Sequence, residues 1–332
     1  METASHIPTN VSPTHYRIAV VIPSYRVIPS VLEVIRRIGP EVEFVYCIDD
    51  CCPDGSGRYI EEHCRDPRVR VIKHEQNQGV GGATISGFKC ALEDGADVVV
   101  KIDGDGQMDP ALLLRMINPI VAGRADYCKG NRFFNVQSVQ SMPPIRLLGN
   151  AVLSFVTKLS SGYWNIFDPT NGYVAIHARV ISELPLDKIH RRYFFESDLL
   201  FRLNTITAVV EDVPMNAKYG AEQSNLHIRT IIGPFLFNHL LNSIKRVGYN
   251  HFLRNFSAAS IELTLGISGL LFGFTFGTVR WWHSISTGQP VTAGTVMLAA
   301  LPVIVGSQLV LSFLNYDVRN VPQIPLHKRL WN

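Results

Sequence analysis

The chain has 332 residues, of which 46% are hydrophobic and 18% charged, enough for a sizeable buried core and one or two domains. Its 31 Lys and Arg against 28 Asp and Glu give a formal charge of +3, a balance that argues against a nucleic-acid partner. Residues 1–15 are polar and contain proline without an apolar core, so they read as a disordered lead and not as a secretory signal. The cysteines Cys47, Cys51, Cys52, Cys64, Cys90 and Cys128 form no CxxC pair, which favours reduced thiols over a disulfide framework or a zinc site.

In chain order, Arg17–Pro23, Glu43–Asp49, Val69–Lys73 and Asp97–Asp103 are short, β-branched apolar runs ended by Pro, Asp or Gly. Such runs are expected of parallel strands covered on both faces. Helical patterns lie between and after them, over Ser30–Ile38, Gly55–Cys64, Gly81–Glu93 and Pro110–Val121, the last opened by Asp109 as N-cap and Pro110 in the first turn. This alternation predicts an open, Rossmann-like α/β sheet with ligands at the carboxyl ends of its strands.

The composition then changes. Ile231–Val247 repeats apolar residues at helical spacing, with Phe235, Leu236, His239, Leu240 and Ile244 on one face, and predicts a helix on a membrane surface or against the globular domain. Ala258–Val279 and Val291–Leu314 are each long and apolar enough to cross a bilayer, and in tandem they predict a transmembrane hairpin. Lys245, Arg246 and Arg254 precede the hairpin, and Arg319, Lys328 and Arg329 follow it. The turn Trp281–Pro290 has neither Lys nor Arg, so both chain ends are expected in the cytoplasm. Gly266, Gly269, Gly273 and Gly277 permit close helix packing, including in a homo-oligomer. The expected division is a lead at 1–15, a catalytic domain at 16–227, a juxtamembrane helix at 228–257, two spans within 258–314 and a cytoplasmic tail at 315–332.

The strongest chemical signal is Lys101–Pro110 (KIDGDGQMDP). A buried strand delivers Asp103 and Asp105, two carboxylates one residue apart that can converge on a hard cation such as Mg or Mn and leave positions open for phosphate oxygens. A solvated turn is the plain alternative. Asp49–Ser56 (DDCCPDGS) ends another strand and offers Asp50 to a nucleobase, or caps the next helix. Asn77–Gly87 (NQGVGGATISG) lacks the lysine of a P-loop, which excludes that ATPase signature.

The ordered series IPSY, DDCCPDGS, NQGVGGATISG and DGDGQ resembles glycosyltransferase family 2, in its dolichyl-phosphate mannose synthase and polyprenyl-phosphate glycosyltransferase branch. The likeness continues through GNRF (Gly130–Phe133), DPTNGY (Asp168–Tyr173), YFFESDLLFRL (Tyr193–Leu203), EDVP (Glu211–Pro214), Tyr219-Gly220 and Ser224. It implies a GT-A catalytic domain followed by the hairpin. It also implies that Pro23, Tyr25, Asp50 and Asp103 contact the nucleotide-sugar and that Asp105 and Gln107 join the metal and diphosphate. Lys218 falls near the diphosphate, and Arg132 and Arg146 hold the acceptor phosphate. Asp168 matches the acid of the family's D-x-x-x-G-[FY] motif. Asp198 falls on a family acidic position and is the candidate base, with Glu196 second, should the acceptor be a hydroxyl. The implied partners are a GDP- or UDP-sugar, an undecaprenyl or dolichyl phosphate and the membrane. Transfer to a glycolipid or polysaccharide hydroxyl, or a non-catalytic nucleotide-sugar-binding scaffold, are the alternatives. Three departures from the pattern stand out: Cys51-Cys52 for Gly-Ser, Arg26-Val27 for Asn-Glu, and GAEQSN for GESK.

Overall fold

The computed structural model describes residues 16–134, 144–215 and 228–330, with residues 144–146 and 228–231 described by backbone alone. It falls into two compact units, Met1–Ser243 with Pro322–Asn332, and Ile244–Val321.

The first unit is built on a seven-stranded sheet. The four predicted strands are present as β1 (Ile18–Ser24), β2 (Val42–Asp49), β3 (Val69–Lys73) and β4 (Val98–Lys101), paired in parallel. Ile18 through Ile22 are fully buried, as a strand covered on both faces requires. Three further strands, β5 (Tyr127–Asn131), β6 (Val174–His177) and β7 (Val210–Pro214), complete the order β3-β2-β1-β4-β6-β5-β7. β6 runs antiparallel to both β4 and β5, so the sheet is mixed. The order reverses between β1 and β4, which places a crevice at their carboxyl ends. β4 ends two residues before the predicted Asp103, because Lys101 is the last residue paired with β6.

Helices α1 (Val31–Arg36), α2 (Ser56–His63), α3 (Gly79–Glu93) and α4 (Leu113–Val121) fall where the pattern places them. Pro110–Leu112 forms a 3₁₀ turn whose N-cap Asp109 accepts from the Ala111 N–H at 3.2 Å. α5 (Pro144–Ser161), α6 (Ala178–Glu183) and α7 (Phe195–Thr205) follow.

α8 (Ile228–Val247) divides the apolar face predicted for it. Phe235 and His239 turn to the first unit, where His239 is buried, stacks edge-on against Phe194 and lies 2.7 Å from Ser160 Oγ. Ile232, Leu236, Phe237 and Leu240 stay exposed. One helix therefore carries a packing face and a separate greasy face.

The last residues also return to the first unit. Ahead of α11 (Leu326–Arg329), the fully buried Asp126 accepts from the N–H groups of Val209, Leu326 and His327 at 2.7, 2.7 and 2.8 Å. His327 Nδ1 also lies 2.7 Å from Asp126 Oδ1, and its ring stacks on His177 at 4.5 Å. Burial alone would raise the Asp126 pKa, but these donors hold it below its ordinary value.

The second unit contains α9 (Ala258–Thr287) and α10 (Ala293–Arg319), both long and apolar enough to cross a membrane. α9 runs through Trp281 and Trp282 into the predicted turn and stops at Gly288 in a left-handed conformation. The glycines serve contact within this hairpin: a Cβ on Gly273 would stand 2.8 Å from the Ala299 carbonyl, and one on Gly266 would stand 3.0 Å from that of Gly306. Arg246, expected among the flanking surface charges, is instead buried and grips Asp317 with two bonds of 2.7 and 2.9 Å, with His251 Nε2 3.1 Å from the same carboxylate.

Candidate active site

Four strand ends supply the site. β1 carries Pro23 near its end and is followed by Tyr25 and Arg26. Tyr25 is exposed, Arg26 adopts a left-handed φ of 58°, and its guanidinium lies 5.6 Å from the Tyr25 ring.

The acidic turn after β2 is fully engaged. Asp49 accepts from the N–H groups of Cys52 and Gly57 at 2.7 and 2.6 Å, closing the turn onto the start of α2. Asp50 accepts from the N–H groups of Gln78 and Gly79 at 2.8 and 2.7 Å, and His74 Nδ1 lies 2.8 Å away. Asp50, expected at the nucleotide, thus fastens the first turn of α3 in place. The glycines of that turn serve close packing, since a Cβ on Gly81 would stand 2.6 Å from the His190 carbonyl.

The turn after β4 is more open. Asp103 retains about 30% side-chain exposure, and Asp105 Oδ1 accepts from the Gln107 N–H at 2.9 Å. Gly106 supplies the left-handed φ of 78° that the turn needs. Lys101, itself buried, donates to Asp103 Oδ1 at 2.7 Å and to the Gly172 carbonyl at 3.2 Å, and lies 3.7 Å from Glu196. Burial pulls the Lys101 pKa down, yet Asp103 and Glu196 more than offset it and leave the ammonium favoured. Lys101 and Asp103 both pack directly on Gly172, where a Cβ would stand 2.7 Å from Lys101 Nζ and from Asp103 Oδ2.

At the end of β5, Arg132 meets the fully buried Asp168 through Nε at 2.7 Å and a second guanidinium nitrogen at 3.1 Å. This fork holds the arginine while about 31% of its side chain remains exposed. Lys129, fully buried, donates to the Asn171 carbonyl at 2.5 Å. Burial lowers its pKa to about 8 against the pull of Glu196, Asp168 and Asp212. Asp212 accepts from Asn131 Nδ2 and the Phe167 N–H at 3.0 and 2.8 Å, and burial raises its pKa to about 6.

The segment Asp168–Gly172 ties these groups together: Asp168 holds Arg132, Lys129 donates to the Asn171 carbonyl, and Lys101, beside Asp103 and Glu196, donates to the Gly172 carbonyl. Asp198 belongs elsewhere: it is buried, and it accepts from the His190 N–H, Arg202 Nε and Asn242 Nδ2 at 2.9, 3.0 and 2.9 Å. That environment suits a structural anchor better than a base. Arg146 starts α5, but its side chain lies outside the described residues, as does all of Lys218. Lys101, Lys129 and Asp212 were absent from the expected site, although each stands inside or beside a quoted motif.

Among the described residues no group of three His, Cys, Asp or Glu forms a ready metal cage. Asp103 and Asp105 alone suit a cation that takes one or two protein carboxylates and completes its shell with phosphate oxygens and water, the usual habit of Mg.

The sequence profile of Glycosyl transferase family 2 matches residues 19–184. The chain belongs to this family. This family 2 glycosyltransferase is 29% identical over 238 residues to the UDP-N-acetylglucosamine–dolichyl-phosphate N-acetylglucosaminyltransferase of Methanococcus voltae, covering 68% of this chain and 94% of that protein. It is 32% identical over 204 residues to the undecaprenyl-phosphate mannosyltransferase of Micrococcus luteus, covering 60% and 82% respectively. The chain also resembles glucosyl-3-phosphoglycerate synthase from Mycobacterium tuberculosis, solved with Mn²⁺ and UDP. The TM-score is 0.52 at 17% identity, over 72% of this chain and 82% of that one, and the likeness shows the GT-A fold.

Proposed function

We propose that the enzyme transfers a sugar from a nucleoside-diphosphate sugar to the phosphate of a polyprenyl lipid, with inversion, at the cytoplasmic face of a membrane that α9 and α10 span. The observation that carries this reading is Arg132, locked by buried Asp168 at the start of the segment whose Gly172 carbonyl also holds Lys101 against Asp103. An arginine fork suits a phosphate, and polyprenyl-phosphate acceptors appear in the names of the relatives from Methanococcus voltae and Micrococcus luteus.

In this reading Pro23 and Tyr25 border the nucleotide, and Asp50 shapes its crevice through the start of α3. Asp103, Asp105 and Gln107 would hold a divalent metal, which supplies charge neutralisation to the departing diphosphate. Lys218 joins the diphosphate, and Arg146 assists Arg132. A phosphate monoester is largely dianionic at neutral pH, so the acceptor needs alignment and no strong base. Asp168 fixes the Arg132 guanidinium so that it meets the phosphate already oriented. Lys129 steadies the Asn171 carbonyl and offsets the negative charge of Asp168, Glu196 and Asp212.

The deciding assay offers labelled nucleotide-sugars to membranes with undecaprenyl or dolichyl phosphate and recovers the product by lipid extraction. Transfer to a polyprenyl phosphate is expected. Transfer only to a hydroxyl acceptor would overturn the reading. Orientation is checked at the exposed Cys51, which an impermeant maleimide should label in inverted vesicles but not in right-side-out ones.

A further inference from the structure

A positive charge at the end of β4 lies against the following turn, and no step of the proposed transfer uses it. Lys101 is a strand residue with about 1% side-chain exposure, 2.7 Å from the Asp103 carboxylate and 3.7 Å from Glu196. It packs directly on Gly172, donating to its carbonyl at 3.2 Å, and a Cβ there would stand 2.7 Å from Nζ. The ammonium is therefore built into the carboxylate site as a permanent neighbour.

A carboxylate already neutralised by a buried ammonium is a weak ligand for a second cation, because like charges a few ångströms apart repel, the more so when one of them is buried. A nucleoside diphosphate changes that balance by bringing several negative oxygens to the same turn. The geometry points to Lys101 as a fixed counter-charge that keeps divalent metal from binding tightly until the nucleoside diphosphate arrives, so that metal and donor enter as a pair. This rests on the metal reading of Asp103 and Asp105. Lys101 acts through Asp103 and is a positioning residue.

The test measures free Mn²⁺ by electron paramagnetic resonance with the full chain in detergent, with Mn²⁺ alone and with UDP or GDP added. Wild-type protein should bind Mn²⁺ weakly alone and at least tenfold more tightly with one of the nucleotides. Lys101→Met should bind Mn²⁺ alone at least tenfold more tightly than wild type, and the nucleotide should add correspondingly less. Lys101→Gln, which keeps an N–H donor without the charge, should behave alike and carries the test if the methionine variant fails to fold by circular dichroism. Folded variants with wild-type Mn²⁺ affinity and unchanged nucleotide dependence would overturn the counter-charge while leaving the metal site intact. Wild-type protein that binds no Mn²⁺ with either nucleotide would remove the metal reading itself, and the inference with it.

Discussion

The two acidic turns at the carboxyl ends of β2 and β4 look alike in sequence and differ in chemistry. In Asp49–Ser56 the first two carboxylates accept backbone N–H groups, so their charge is used to hold α2 and α3. In Asp103–Gln107 the chain places a lysine against the first carboxylate and leaves both side chains partly open to solvent. Carboxylates satisfied by backbone donors build a crevice, while carboxylates balanced by a cation can exchange that balance with a ligand. The spacing of acidic residues does not separate these cases; what donates to their oxygens does.

Asp105→Ala should break the comparison most sharply, lowering transfer about a thousandfold in a lipid-extraction assay while the melting temperature stays put. Arg132→Lys should follow, with a loss of about a hundredfold, because lysine cannot reproduce the fork to Asp168. Asp50→Ala should show the opposite signature. It leaves the Gln78 and Gly79 N–H groups without their acceptor and should cost about 2–4 kcal/mol of stability, read as a lower melting temperature.

Asp212→Asn gives the smallest effect and a pH signature. A carboxyl raised to about 6 stabilises the fold while protonated, and that contribution is lost as pH climbs from its ordinary value near 4 through 6. The variant should therefore gain about 1–2 kcal/mol over wild type at pH 7.5 and nothing at pH 4, by denaturant unfolding at both values. An equal gain at both would show that Asp212 is not strained by burial.

Much of this was legible. β1 to β4 announce themselves as unbroken β-branched runs, and the Asp103–Asp105 turn follows directly from one of them. β5 and β7 do not, because YCKGN and VEDVP carry charges where a buried strand normally carries apolar residues. Burying Lys129 depends on the Asn171 carbonyl and on acids distant in sequence, which no local pattern reveals. Lys101 was hidden for the same reason: at the end of an apolar run it reads as a residue leaving the core, and only Asp103, Gly172 and Glu196 together explain why it stays. A lysine inside a buried run beside an acidic motif was the available signal. The double face of α8 was likewise invisible, since His239 and Leu240 share one apolar face by periodicity yet one is buried and the other exposed.

The docking of Leu326 and His327 on Asp126 bears on how a water-soluble version of the enzyme should be made. Cutting the chain before α9 would discard these two residues and strand a fully enclosed carboxylate, with only Val209 among its backbone donors. Excising Ile244–Val321 and bridging the gap with a flexible peptide would keep the closing segment on the same polypeptide, and supplying residues 322–332 as a separate peptide should partly restore a truncated form.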